Sequence, residues 1–92
     1  MGEARKTITI VNRRGLHARA SAKFVNMVAA LPAGVKVTVS KAPNSAAGGS
    51  ILGLMMLGAA KGDAIDLLVE GDEADSVLAD LAALVETGFG ED

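Results

Sequence analysis

Lys6-Thr7-Ile8-Thr9-Ile10-Val11-Asn12-Arg13-Arg14-Gly15-Leu16-His17-Ala18-Arg19-Ala20-Ser21-Ala22-Lys23-Phe24 decides the fold, because the hydrophobic period changes inside it. Residues 6–11 alternate polar and apolar, the period of a strand with one buried face. Asn12 to Gly15 interrupts them with a polar turn. From His17 onward, Ala20, Phe24, Met27, Val28 and Leu31 fall at helical spacing on one face. Arg19, Lys23 and Asn26 lie away from that face, and Pro32 and Gly34 stop the helix.

The alternation returns twice. Val35-Lys36-Val37-Thr38-Val39-Ser40-Lys41 puts its valines on one side, and Ala64 to Glu70 does the same through Ile65, Leu67 and Val69. Residues 42–49, rich in Pro, Asn, Ser and Gly, read as a loop with room for a short third strand. Ser50 N-caps a short helix, Ile51-Leu52-Gly53-Leu54-Met55-Met56-Leu57, closed by Gly58. Gly71-Asp72 opens the last helix, with Asp72 as its expected N-cap and Glu73 and Asp75 in the first turn, where the macrodipole favours acids. Ala74, Leu78, Leu81 and Val85 form its buried stripe, Gly88 ends it, and residues 88–92 are expected to fray. The order β-α-β-β-α-β-α, without repeats or linkers, predicts an α+β fold. Its expected form is an open-faced two-layer β-sandwich, an antiparallel four-stranded sheet with three helices on one face. Thr7, Thr9, Lys36 and Thr38 fall on the other, solvated face.

Composition narrows the chemistry. Ninety-two residues suit one domain spanning 1–92, and half of them are apolar, which favours a packed aliphatic core over disorder. Phe24 and Phe89 are the only aromatics and the net charge is −2, so base stacking and a basic footprint for nucleic acid are both missing. There is no cysteine, which removes disulfides and thiolate metal sites. No secretory signal is read in residues 1–6, and the longest apolar run, residues 51–60, is half the roughly 20 residues a membrane helix needs. A cytoplasmic protein without membrane insertion, cofactor or metal is expected.

His17 is the only histidine. A lone histidine is usually structural, but this one lies at a helix start and off the apolar stripe. It follows Gly15, whose freedom permits a tight turn, and precedes Arg19, a fixed charge suited to bidentate phosphate contact. Helix starts expose unpaired N–H groups and the positive end of the macrodipole, so they accept anions and disfavour imidazolium. The dipole contributes about 0.3–1 kcal/mol, less than the roughly 1.36 kcal/mol of one pKa unit. That modest bias suits a group that must take up a phosphoryl group and release it. A hydrolytic triad lacks an assignable nucleophile, and Glu70, Asp72, Glu73 and Asp75 are explained by a turn and a helix start rather than by a metal.

Gly15-Leu16-His17-Ala18-Arg19-Ala20-Ser21-Ala22 resembles the active-site motif of the HPr family, the histidine phosphocarriers of the bacterial phosphotransferase system. Residues 50–62, from Ser50 to Gly62, resemble the family's regulatory-serine helix and the turn after it. The two blocks stand at the family's spacing, and the likeness covers nearly the whole chain. It implies that phosphorylated enzyme I, charged from phosphoenolpyruvate, passes a phosphoryl group to Nδ1 of His17, which hands it to a IIA-type acceptor in sugar uptake. The chain would then be a covalent way-station and not a free-standing catalyst. Arg19 matches the arginine that pairs with the phosphoryl group, and backbone N–H groups at Ala18 and Arg19 would complete the anion cradle. Asn12 resembles a residue that braces the loop beside Gly15, although an ordinary turn asparagine reads the same way.

Ser50 matches the serine modified by HPr kinase/phosphorylase in many bacteria, a role compatible with a plain N-cap. A phosphate there would sit at a helix N-terminus, so inhibition is expected from repulsion of an acidic partner and not from unfolding. Leu54 and Leu57 are expected to face the core, leaving Ile51, Leu52, Met55 and Met56 as a partner-docking patch in which flexible methionines suit several partners. The chain departs from the family at Ala20, often proline, and at Gly48-Gly49, which are expected to loosen the loop before Ser50. Arg13 and Arg14 add charge that suits acidic partners, although a solvated turn reads the same way. A monomer is expected, since one face must meet successive partners. Two other readings stand beside sugar transport: a regulatory carrier of a nitrogen-type branch that controls other proteins, and an unrelated α+β interaction domain with an incidental histidine.

Overall fold

The alternating segments form one sheet. The computed structural model describes residues 2–91, with β1 (Gly2–Thr9), α1 (Ala18–Ala29), β2 (Lys36–Lys41), β3 (Asn44–Ala47), α2 (Ile51–Met56), β4 (Ala64–Gly71) and α3 (Ala74–Glu86). A 3-10 turn, Gly88–Gly90, follows. The strand order is β1-β4-β2-β3 and every neighbouring pair is antiparallel. β4 lies between β1 and β2, with Ile65 opposite Ile8, Leu67 opposite Val39 and Val69 opposite Val37. This register places Ala4, Ile8, Val37, Val39, Ile65, Leu67 and Val69 on the same face; a slip of one residue would expose them.

The helices cover that face. α3 packs on β1 and β4, α1 packs on α2 and α3, and α2 packs on β3. Phe24 from α1, Leu54 from α2 and Leu81 and Val85 from α3 are buried together with Ile65, Leu67 and Val69. Thr7, Thr9 and Asp66 on the opposite face are exposed, as an open-faced two-layer α+β sandwich requires.

Several local expectations are refined. The faint third strand exists: β3 pairs with β2 from Thr38–Ala47 to Lys41–Asn44. Gly48 does not loosen the loop before Ser50. It is buried, its N–H donates to the Val37 carbonyl at 2.8 Å, and a Cβ there would stand 2.7 Å from Val37 Cγ1. Gly48 is therefore a packing glycine, whereas Gly49 faces open space. Asp72 is not the N-cap of α3. The first helical bond runs from Val77 N–H to the Glu73 carbonyl at 2.9 Å, so Glu73 occupies that position, at φ 59° and without a side-chain capping bond. The paired strand continues to Gly71, and the turn into α3 uses one residue more than expected.

The largest correction concerns the C-terminal segment. Residues 88–91 do not fray: Phe89 is 1% exposed, within the core, and Glu91 is tied to the His17 loop. The physical reason is the aromatic ring, whose burial holds the turn after α3 against the molecule. Asp92 lies outside the described residues.

Candidate functional site

The loop from Asn12 to His17 is built to hold one shape. Asn12 is 1% exposed, and its Nδ2 donates to the Gly15 carbonyl at 2.9 Å. The Gly15 N–H donates back to the Asn12 carbonyl at 3.2 Å, closing a tight turn. Gly15 has φ 64°, and a Cβ there would stand 2.2 Å from the Ala59 carbonyl oxygen. Only glycine meets both demands. The next residue completes the tie, since the Leu16 N–H donates to that same Ala59 carbonyl at 3.0 Å. The His17 loop is thereby fastened to the segment that follows α2.

His17 is the N-cap residue of α1, extended at φ −73° and ψ 178°. Its carbonyl accepts the first helical bond, from the Ser21 N–H at 2.9 Å. The N–H groups of Ala18, Arg19 and Ala20 therefore precede the intrahelical ladder and, with the positive end of the helix, provide donors for an anion. The His17 side chain makes no capping bond to its own helix. Buried Ser21 donates its hydroxyl to the Leu16 carbonyl at 3.2 Å, which locks the first turn of α1 to the loop.

The C-terminal segment completes the site. His17 Nε2 lies 2.7 Å from Glu91 Oε2, and Asn12 Nδ2 donates to Glu91 Oε1 at 3.0 Å. Lys23 Nζ donates to the Phe89 carbonyl at 2.6 Å and so holds the backbone two residues before Glu91. Burial acts to raise the Glu91 carboxyl pKa. It is outweighed by hydrogen bonds from Asn12 and His17 and by the charges of His17 and Lys23, which together hold it below the usual carboxylate range. Asn12 Oδ1 is buried without a hydrogen-bond partner among the described residues. Both partners of its Nδ2 are acceptors, which sets the orientation of the amide. Asn12 thereby ties Gly15 to Glu91.

Arg13, Arg14, Arg19 and Lys23 line an open hollow of about 430 Å³ whose remaining wall is Gly90 and Glu91. The hollow can hold an anion beside the start of α1. No group of three or more His, Cys, Asp or Glu side chains is placed to hold a metal among the described residues. No helix there is long and apolar enough to cross a membrane.

On α2, Ser50 Oγ accepts the Gly53 N–H at 2.9 Å, an N-cap in geometry as well as in position. Leu54 and Leu57 are buried, and Ile51, Leu52, Met55 and Met56 are exposed. The structure thus gathers Asn12, Gly15, His17, Ala18 and Arg19 at one end of α1, and sets Ser50 and the apolar surface on the helix packed beside it. Sequence reasoning missed Glu91, Lys23 and Ser21. The one signal for the first two was Phe89, an isolated aromatic between glycines and an obvious anchor for a short tail.

A family model described as "PTS HPr component phosphorylation site" matches residues 4–87. Phosphocarrier protein HPr of Pseudomonas aeruginosa is 44% identical over 85 residues, covering 91% of this chain and 92% of that protein. Phosphocarrier protein NPr of Shewanella violacea is 36% identical over 91 residues, covering 99% and 98%. The crystal structure of HPr-C-His from Thermoanaerobacter tengcongensis has a TM-score of 0.86 at 36% identity, covering 100% of this chain and 99% of that one. The chain belongs to the HPr/NPr family of phosphocarriers, whose partners are proteins of the phosphotransferase system.

Proposed function

We propose that His17 receives a phosphoryl group on Nδ1 from phosphorylated enzyme I and passes it to a IIA-type acceptor in sugar uptake. The observation that carries this reading is the placement of His17 at the start of α1, with Nε2 engaged by Glu91 and free N–H donors behind it. Arg19 and the N–H groups of Ala18 and Arg19 hold the transferred group. Asn12 and Gly15 keep the loop in shape, and Ile51, Leu52, Met55 and Met56 dock the partners. Ser50 is the regulatory position: its oxygen accepts from Gly53 N–H, and a phosphate added there would set negative charge beside the docking surface.

Incubation with phosphoenolpyruvate and enzyme I tests the central step. The wild-type protein takes up acid-labile, base-stable label, and His17→Ala takes up none. Label that persists in His17→Ala refutes the assignment.

The likeness to an NPr over nearly the full chain favours a second reading, a carrier of the nitrogen-type branch whose phosphorylation state controls other proteins. Deletion in the host separates the two. Loss of sugar uptake supports the first, and intact uptake with altered nitrogen responses supports the second.

A further inference from the structure

The contact between Glu91 and His17 joins residues 74 positions apart, and the tail is anchored to make it. Phe89 is sunk in the core, and Gly88 and Gly90 flank it at φ 68° and 73°. Lys23 holds the Phe89 carbonyl. The two carboxylate oxygens of Glu91 have separate partners, Oε1 on Asn12 and Oε2 on His17, so the carboxylate is fixed in rotation as well as in position. An ionised carboxylate only accepts hydrogen bonds, so Nε2 must be the donor in the 2.7 Å contact. In a neutral imidazole the proton sits on one nitrogen, and the bond made by that nitrogen decides which one it is.

We infer that Glu91 is a positioning residue that keeps the proton of the neutral His17 ring on Nε2 and the lone pair on Nδ1, for both uptake and release of the phosphoryl group. The inference rests on the function proposed above and adds a residue to it. In uptake, the Nδ1 lone pair forms the bond to phosphorus as the donor's own bond to phosphorus breaks and its electron pair returns to the donor. In release, the Nδ1–phosphorus bond breaks and its pair returns to Nδ1. Because Nε2 still carries its proton, held by Glu91, the departing group is neutral imidazole and not the much poorer leaving group imidazolate. The same carboxylate balances the positive charge on the ring while the group is in transit.

The test reads the tautomer and the transfer separately, on Glu91→Ala and Glu91→Gln beside the wild type. Nitrogen-15 NMR of the neutral ring should show Nε2–H in the wild-type protein. Glu91→Ala should shift the ring toward Nδ1–H by roughly tenfold to a hundredfold in population, the span of one charge-assisted hydrogen bond. Phosphoryl uptake from enzyme I should slow along with it. Glu91→Gln keeps an acceptor oxygen at the same reach and should recover part of the tautomer preference, a rescue that a merely structural role for the side chain does not predict. A wild-type tautomer in Glu91→Ala overturns the inference, and so does an unchanged uptake rate. The tautomer is read without any donor, whereas failure of the wild-type protein to be labelled at His17 would overturn the proposed function instead.

Discussion

The His17 loop and the α2 surface lie side by side, yet they are held in opposite ways. Around His17, side chains and backbone from residues 12, 15, 16, 21, 23, 59, 89 and 91 are tied by hydrogen bonds into one network. On α2, two buried leucines and the Ser50 cap hold a six-residue helix, while Leu52 and Met56 stand 68% and 74% exposed with no polar tether. Phosphoryl transfer needs reacting atoms placed within a few tenths of an ångström, so it draws on directional bonds. Docking of several partners needs apolar area that can adapt, which flexible side chains supply. In the function proposed above, precision and adaptability are separated and lie on two adjacent helices.

The sharpest way to break the first region is Gly15→Ala. Alanine at φ 64° costs about 1–2 kcal/mol. Relieving the 2.2 Å clash with the Ala59 carbonyl requires a backbone shift of about 1–3 kcal/mol more. A loss of about 2–5 kcal/mol is a large share of the roughly 5–15 kcal/mol stability of such a domain. Denaturant titration checks it. Phosphoryl uptake should fall as well, because the same shift moves Leu16 and His17. A variant of wild-type stability would mean that the loop is far less constrained than its bonds indicate.

Acid should loosen the network selectively, with a smaller effect. The Glu91 carboxyl titrates below its usual range in the folded protein, because the bonds and charges that favour its ionised form outweigh burial. Its folded pKa is therefore below its unfolded one. The stability it contributes is complete above the unfolded value and is lost as pH falls through the folded value. The stability difference between wild type and Glu91→Gln should shrink as pH falls through that acid window. A difference that persists unchanged below that window would contradict the ionised contact.

Much of this organisation was legible in residues 6–24, where the switch from alternation to helical spacing at Asn12–Gly15 marks β1, the loop and α1. Ile65, Leu67 and Val69 were as plain, because a strand with one buried face displays its period directly. β3 was faint because Asn44-Ser45-Ala46-Ala47 lacks β-branched and aromatic side chains, and pairing with β2, not propensity, makes it a strand. Asp72 misled because its residue type suits an N-cap, while the length of the preceding turn decides which residue occupies the position. Within the site, His17 and Arg19 stood out by type and spacing. Glu91 did not, since its role depends on a contact across 74 positions that local patterns cannot encode. Phe89 carried the only hint of it.

The second region should tolerate substitutions that the first would not. Leu52→Ser and Met56→Ser remove apolar side chains that are already mostly in water, so each should change stability by no more than about 0.5 kcal/mol. Association with enzyme I should nevertheless weaken roughly tenfold, the equivalent of about 1.4 kcal/mol of buried apolar contact per side chain. The nitrogen-15 signature of the His17 ring should stay as in the wild type, because neither side chain joins the network around it. Calorimetric unfolding, a binding titration and the ring spectrum together decide the matter. If either serine variant disturbs the His17 tautomer, the two regions are coupled and the separation between chemistry and docking fails. If association is unchanged, the exposed apolar face of α2 is not where the partner sits.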